Sequence, residues 1–352
     1  MAQSATMRSA HIHRTASPHA SLHALYGEEA QRTQMYRRWM ERATRIPGAA
    51  RARGLARSLA VAFGGLPHSV GTVDSPPPHV AGDITGLWLR SARSDEPVVD
   101  PTSSEIVTMT THGGRLNDVW LAIESVGRGS VKPHRLVLWL DRPLARIPWR
   151  LRRLQRRGLE IRFTAPGLGV HTKYWPLLSS EPLDRPLVMS DDDIVYPETW
   201  LEELRGAYQE SPECVIAHRA HVIGMSSESE FTPYASWRPC ESDAPHYAHF
   251  ATSVSGQLLP PALQKAIRDD GQGFLRSAPT ADDVWLHYEA VKHGFPTRQV
   301  LDRQQHWWFI PGSQQTGLNA VNVVGGENDR QLAATHSPVT RRRIWAEVAT
   351  IS

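Results

Sequence analysis

The sequence predicts an α/β fold in which a mostly parallel β-sheet is flanked by helices. Strand-like and helix-like segments alternate with short connections between residues 105 and 190, a pattern typical of parallel sheets. One of these strands, residues 136–140, is apolar at every position, as expected of a strand covered on both faces. Ligands of such sheets bind beyond the carboxyl ends of the strands, so the residues that follow each strand are the first site candidates.

The individual elements follow from residue type and spacing. Residues 105–110 are rich in β-branched side chains and predict the first strand. Apolar residues recur at helical spacing in 116–126 and in 144–154, where arginines occupy the outer face of the predicted helix. Further strands are predicted at 135–140, 159–163 and 187–190, with a helix or loop at 173–179. The alternation of these elements favours one parallel sheet.

Composition limits the class of protein. The chain has 352 residues, of which 40% are apolar and 21% charged, enough for one large domain with appendages or for two domains. Its two cysteines, Cys214 and Cys240, form neither a disulfide framework nor a zinc site. No stretch approaches the roughly 18 apolar residues of a membrane span, and the N-terminus lacks the pattern of a secretory signal. The predicted location is the cytoplasm, either free or at the inner face of the membrane.

The first hundred residues differ from the rest and are predicted to form an N-terminal extension, partly disordered and with basic helices, before a domain at 101–340. Eight arginines and a single acid lie between Gln31 and Ala60, and seven arginines with no acid lie between Arg142 and Arg157. Basic clusters attract phosphates, nucleic acid or lipid headgroups. Each cluster is therefore either a solvated helix face or a surface for peripheral membrane contact.

Three carboxylates directly follow the apolar strand at 187–190. Asp191, Asp192 and Asp193 precede Pro197, which we expect in the first turn of the next helix. Because residues i and i+2 of an extended segment share a side, Asp191 and Asp193 can reach one hard cation with oxygen ligands. Such a metal would offset the charge that develops on a diphosphate leaving group. The alternative is a solvated acidic turn beside a helix N-terminus.

A second acidic centre, Asp282 and Asp283, lies in the first turn of a predicted helix that Thr280 would cap. Carboxylates there either complement the helix dipole or supply a general base that deprotonates an acceptor hydroxyl. Two separate acidic centres, one for a metal and one for a base, suit the transfer of a glycosyl group.

The order of these segments resembles bacterial GT-A fold glycosyltransferases of the family-2-like kind over roughly residues 105–335. The stretches that carry the resemblance are 107–111, 115–125, 136–140, 157–162, 173–174, 190–196, 215–221, 256–261 and 280–285. The resemblance implies a GT-A type, Rossmann-like sheet and Mn²⁺ or Mg²⁺ as cofactor. It also implies a nucleotide-sugar donor, a glycan or other hydroxyl acceptor such as a cell-envelope polysaccharide, and no nucleic-acid partner.

The resemblance also implies roles for single residues. Asp191 and Asp193 would hold the metal with Asp192 beside the sugar or ribose, and Asp283 would be the base with Asp282 as its substitute. The other implied positions are Thr108, Thr110, Thr111 and Arg115 in the nucleotide pocket, Lys173 and Gly256 near the donor, and His306 either in the metal shell or simply on the surface. One departure concerns residues 254–257, where a single glycine replaces the usual pair and leaves the shape of the sugar loop open.

Three functions are compared. An inverting glycosyltransferase needs a single base, which favours it over a retaining one. A Mg²⁺-dependent nucleotidyltransferase or phosphohydrolase also uses carboxylates at a strand end, but residues 111–115 are a poor version of its glycine-rich phosphate loop. A non-catalytic protein that binds anionic polymers through its arginines predicts that loss of Asp191 and Asp193 leaves binding intact or strengthens it.

Overall fold

The computed structural model describes residues 78–310, 313, 322–323 and 325–348 of the chain. These belong to one compact unit, Pro76–Ser352. The disorder and basic helices predicted for residues 1–77 lie outside the described residues. Within the described part, no helix is both long and apolar enough to cross a membrane.

Strands and helices alternate through the first half of the described chain. The α-helices are α1 Pro78–Arg93, α2 Trp120–Gly127, α3 Trp149–Arg156, α4 Trp175–Ser180, α5 Trp200–Glu210, α6 Pro261–Asp270, α7 Phe274–Ser277, α8 Asp282–His293, α9 Glu327–Thr335 and α10 Pro338–Val348. The strands are β1 Ile106–Thr110, β2 Arg135–Leu140, β3 Leu159–Phe163, β4 Leu187–Met189, β5 Ile194–Val195, β6 Val215–Ala217, β7 Ala220–Val222, β8 Met225–Ser227, β9 Glu230–Phe231, β10 Arg238–Pro239, β11 His249–Ala251, β12 Gln257–Leu259, β13 Thr297–Gln299 and β14 Trp308–Phe309.

Seven of the described strands form the central sheet, in the order β13-β6-β12-β4-β1-β2-β3. All neighbours in it are parallel except β12, which runs antiparallel to both β4 and β6. The central strands are buried on both faces, as the apolar run at 136–140 predicted. The prediction of a mostly parallel sheet flanked by helices is confirmed.

Three predicted helix starts are wrong. The α-helix expected from residue 116 begins at Trp120, after a separate 3-10 helix at Gly113–Asn117. The helix expected from residue 144 begins at Trp149, because a proline disfavours helical backbone in the residue before it and Pro148 occupies the cap position with extended ψ. The helix expected from Pro197 begins three residues later, at Trp200. Each irregular stretch lengthens the loop beyond a strand at the edge where ligands of such sheets bind.

Helix α1 packs against α2 and α3 through the buried side chains Ile84 and Leu87. Arg150 of α3 is buried beneath it, with its guanidinium 4.0 Å from the ring centroid of Trp120 and 5.3 Å from that of Trp88. This stacking replaces a carboxylate partner for the buried cation. The compact unit thus includes a helix that lies within the predicted N-terminal extension.

Smaller sheets cover the carboxyl edge of the central sheet. The order β10-β7-β11 forms one antiparallel layer, and β14 pairs antiparallel with β5. This last pairing brings residues 305–310 along the acidic segment, where the backbone N–H of Ile310 donates to the carbonyl of Asp193 over 2.6 Å. The acidic segment is therefore enclosed by chain from the far end of the domain.

Candidate active site

The acidic segment turns immediately after β4. Asp192 and Asp193 lie in this turn, and both accept from one guanidinium: Arg115 Nη1 is 2.8 Å from Asp192 Oδ1, and Nη2 is 3.1 Å from Asp193 Oδ2. Thr111 Oγ1 donates to the other oxygen of Asp192 over 2.5 Å. The extended segment expected here is wrong, since the backbone turns at Asp192 and directs two adjacent carboxylates to the same arginine.

Lys173 joins the two acidic centres. It ends a short 3-10 helix, Gly169–Lys173, and its Nζ lies 2.7 Å from Asp191 Oδ1 and 3.0 Å from Asp282 Oδ2. Nζ also donates to Ser253 Oγ over 3.0 Å. Burial alone would lower the pKa of Lys173, but the carboxylates of Asp191, Asp282 and Asp283 outweigh it and hold that pKa well above its usual value. Lys173 therefore remains a cation at neutral pH.

Asp282 and Asp283 open helix α8 on the other side of Lys173. Asp282 is buried against the lysine, whereas Asp283 keeps part of its side chain exposed. The backbone N–H of Ser253 donates to Asp283 Oδ1 over 2.9 Å. Burial, reinforced by the charge of Asp282, raises the pKa of Asp283 to about 7 despite the nearby lysine. A carboxyl that exchanges its proton near neutral pH suits a general base.

The predicted cap of α8 is wrong. Ala281 occupies the cap position, and no side chain caps the helix. The hydroxyl of Thr280 is engaged elsewhere, since it accepts from Gln331 Nε2 over 2.7 Å and donates to Asn322 Oδ1 over 3.1 Å. Tertiary contacts therefore engage the hydroxyl to which the sequence assigned the cap of α8.

Negative charge exceeds positive charge in this cleft. Burial raises the pKa of Asp193 to about 7, and repulsion from Asp191 and Asp192 adds to it, although Arg115 and Lys173 act in the opposite direction. The five carboxylates outnumber these two cations, with Arg219 as a third cation nearby, so the neighbouring side chains do not neutralise the local charge. An excess of clustered carboxylate oxygens is the ligand chemistry that a hard divalent cation prefers.

Gly256 completes the edge between β11 and β12. Its φ of 105° lies in the region that favours glycine, and a Cβ built there would stand 2.5 Å from Trp200 Nε1. That indole nitrogen donates to the carbonyl of Ser255 over 2.8 Å, and Trp307 Nε1 donates to the same carbonyl over 3.2 Å. The glycine permits two tryptophans to close against one turn.

Replacing Gly256 with alanine is expected to lower the free energy of unfolding by about 1–3 kcal/mol, because the methyl group strains the backbone and displaces Trp200. Gly206→Ala is the matched control: a Cβ there meets nothing within 4 Å, and it lies inside α5, where alanine gains about 0.5–1 kcal/mol. Urea unfolding of both variants measures the difference. Equal stability of the two would contradict this account of the turn.

The structure does not bring every predicted residue to the cleft. Thr108 is fully buried and donates to the carbonyl of Lys173 over 2.6 Å, so it supports the lysine. Thr110 donates to the carbonyl of Trp139 over 3.0 Å. His306 is exposed and lies 3.2 Å from Gln304 Oε1; among the described residues, no hydrogen bond or ion pair joins it to the three aspartates.

Sequence reasoning missed three residues of the cleft. Tyr196 Oη accepts from the backbone N–H of Asp191 over 2.8 Å and fixes the start of the turn. Ser253 contacts both Lys173 and Asp283. Arg219 follows β6 at the same edge. The available signal was its position directly after an apolar strand.

Comparison with known proteins identifies no family for this chain. No protein-family model matches the chain, and no curated protein is similar to it. Among solved structures, TarS residues 1–349 from S. aureus is 12% identical with a TM-score of 0.43, over 70% of this chain and 71% of that one. The mannosyltransferase PcManGT from Pyrobaculum calidifontis, in complex with GDP-Man and Mn²⁺, is 12% identical with a TM-score of 0.43, over 83% and 80%. At these values, the function of this chain must be argued from its own residues.

Proposed function

We propose that this protein is a glycosyltransferase with a GT-A type fold, which moves a sugar from a nucleoside diphosphate sugar to a hydroxyl acceptor. The observation that carries the proposal is the contact of Lys173 with Asp191 on one side and Asp282 on the other. It joins two acidic centres about ninety residues apart at the carboxyl edge of one sheet. A metal-binding carboxylate beside a basic carboxylate is the pair that metal-assisted glycosyl transfer requires.

Asp191 and Asp193 are the proposed ligands of Mn²⁺ or Mg²⁺. The donor set fits, because it consists of carboxylate oxygens and carries more negative charge than Arg115 and Lys173 neutralise. Lys173 contacts only one oxygen of Asp191, whose side chain is 26% exposed and faces the cleft. When bound, the cation would stabilise negative charge on the departing diphosphate. His306 is exposed, and among the described residues no hydrogen bond or ion pair joins it to these proposed metal ligands.

Residues beside the metal ligands would bind the donor. Asp192 is fixed from two directions by Thr111 and Arg115, which suits it to accept a hydroxyl of the ribose or sugar. Gly256 would lie in the turn beside the donor sugar, where its positive φ sets the course of the backbone. Thr108 and Thr110 would support this surface indirectly, since their hydroxyls donate to the backbone carbonyls of Lys173 and of Trp139 in β2.

Asp283 is the proposed base. Its Oδ1 is oriented by Ser253, and among the described residues its other oxygen has no hydrogen-bond donor. Its raised pKa, about 7, allows it to take a proton from a hydroxyl as the sugar is transferred. Asp282 is less suited because it is buried against Lys173. One base on one side of the donor favours inversion.

The reaction product distinguishes this proposal from a nucleotidyltransferase or phosphohydrolase. The purified protein would be incubated with Mn²⁺ and a panel of nucleotide sugars, with and without glycan acceptors. We expect release of a nucleoside diphosphate from one donor. Release of pyrophosphate or of a nucleoside monophosphate would refute sugar transfer and support the second class of enzyme.

A basic and aromatic stripe on α3 supports contact with the inner face of a membrane. Trp149, Arg152 and Arg156 are exposed and share one helix face by their spacing. A tryptophan among arginines is typical of surfaces that bind anionic lipid headgroups. The proposed location is therefore the cytoplasm at the inner face of the membrane.

Replacing Arg152 and Arg156 with glutamine is expected to weaken binding to phosphatidylserine vesicles about thirtyfold, from about 1 kcal/mol for each arginine. Vesicle sedimentation measures it. A matched control replaces Arg303 and Arg330, which are also highly exposed. Failure of the wild-type protein to sediment with these vesicles would contradict the membrane contact.

A further inference from the structure

Arg219 is a cation at the edge of the proposed active-site cleft. It lies just beyond β6, and its Nη1 donates to Thr252 Oγ1 over 2.9 Å. Its Nε is closed off from solvent and has no hydrogen-bond acceptor. Within the part of the chain that the structure describes, it forms no ion pair with a carboxylate.

Three other arginines of the domain that are withdrawn from solvent have carboxylate partners, and the buried Arg150 is covered by tryptophan rings instead. Arg157 is paired with Glu124 over 2.5 Å, and Arg115 is paired with Asp192 over 2.8 Å. Arg205 is paired with Glu105. Burying a charge without a partner is costly. Burial accordingly lowers the pKa of Arg219, because desolvation outweighs the attraction of the Asp283 carboxylate. An arginine remains charged at neutral pH even so, and its position is explained if an anionic ligand completes it.

The surroundings of Arg219 place it on the side of the proposed base. The carboxylate whose charge acts on it is Asp283, whereas Asp191, Asp192 and Asp193 act on Arg115. Tyr234 is fixed beside it by ring contacts with Trp237 and Phe250. The acceptor hydroxyl must approach Asp283, so a ligand group at Arg219 would belong to the molecule that carries this hydroxyl.

We infer that Arg219 binds a phosphate or carboxylate group of the acceptor, so that the acceptor is an acidic glycan or sugar phosphate and not a neutral sugar. This inference rests on the proposed function, in which Asp283 is the base. A guanidinium presents two parallel N–H groups to such anions, which gives orientation as well as attraction. The arginine would thereby position the acceptor hydroxyl against Asp283.

Binding of simple anions tests the inference. Dissociation constants for inorganic phosphate and for glucuronate would be measured by calorimetry, first without metal and then with the donor centre filled by a nucleoside diphosphate and Mn²⁺. Arg219→Gln is expected to weaken both anions at least about tenfold in both states, since one charged hydrogen-bonded contact is lost. Nucleotide affinity should remain within about twofold of wild type. Arg276→Gln, an exposed arginine on α7, is the control for charge alone.

Each other result has a distinct meaning. Weaker nucleotide binding in Arg219→Gln, with phosphate binding unchanged, would assign the anion to the donor diphosphate and overturn the inference. Unchanged binding of both, or no anion binding by wild type, would also overturn it. If wild type binds no nucleotide but binds phosphate through Arg219, the proposed function fails and the anion site stands. If Arg219→Gln does not fold, Arg219→Lys replaces it, because lysine retains the positive charge but lacks the two parallel N–H groups of the guanidinium. An intermediate anion affinity would then support the inference.

Discussion

Replacing Asp191 and Asp193 together with asparagine is expected to reduce sugar transfer about a thousandfold, because a bound cation contributes several kcal/mol of charge stabilisation to such a reaction. Asparagine keeps the size of each side chain, and its amide oxygen can still accept from Lys173 or Arg115. The pair of substitutions therefore removes two negative charges while the turn stays in place. Initial rates across a Mn²⁺ titration measure both the loss and the disappearance of metal dependence.

The control for this variant removes the same number of negative charges, but at the surface. Asp269 and Asp302 are exposed and form surface ion pairs, which contribute little to stability. Their double replacement with asparagine should leave the rate and its metal dependence unchanged. If the Asp191 and Asp193 variant instead bound anionic ligands more tightly and retained full activity, the cleft would be an anion-binding surface and not a metal centre.

Asp283→Asn is expected to lower kcat by a factor of about a thousand, within the range of general-base catalysis, with donor affinity retained. The amide oxygen can still accept from the backbone of Ser253, so the start of α8 should keep its geometry. Asp282→Asn provides the comparison. It removes one of the negative charges that face buried Lys173 and leaves only a neutral amide there, so we expect it to lower the free energy of unfolding by about 1–3 kcal/mol. A larger loss of kcat in Asp282→Asn than in Asp283→Asn would exchange the two roles.

The pH profile identifies the base independently. Asp283 accepts a proton only when ionised, and burial raises its pKa to about 7. Activity should therefore fall as the pH decreases through about 7, and a bound divalent cation would move this limb to lower pH by favouring the ionised form. The residual activity of Asp283→Asn should lack the limb. A limb that persists in this variant would assign it to another group.

The sequence predicted strands reliably where the apolar pattern extends over several residues. The strands expected at 135–140 and 159–163 coincide with β2 and β3, because runs of five or six residues carry a clear apolar pattern. Strands β6, β12 and β13 have three residues each, too few for a periodic signal. The antiparallel course of β12 is a property of chain connection, so residue types alone could not reveal it.

The residues of the candidate site likewise divide into those that the sequence could predict and those that it could not. The carboxylates after β4 were evident because they follow an apolar strand, and the topology then brings them to the sheet edge. The contact of Lys173 with Asp282 joins residues more than a hundred positions apart, and no local pattern encodes such a pairing. The cap at Thr280 was predicted from local preference, but Gln331 of α9 and Asn322, which precedes α9, engage that hydroxyl. Arg219 offered only its position after an apolar strand as a signal, because its lack of an ion pair among the described residues is a property of the folded chain.

Thermal stability with nucleoside diphosphates, measured with and without Mn²⁺, tests the central claim most directly. A ligand that binds only the native state stabilises it by about 2.7 kcal/mol at one hundred times its dissociation constant. We predict a rise in Tm with one nucleotide that requires Mn²⁺ and vanishes when Asp191 and Asp193 are replaced with asparagine. A rise that is independent of metal, or no rise with any nucleotide at saturating Mn²⁺, would contradict a metal-dependent nucleotide-sugar site at the end of β4.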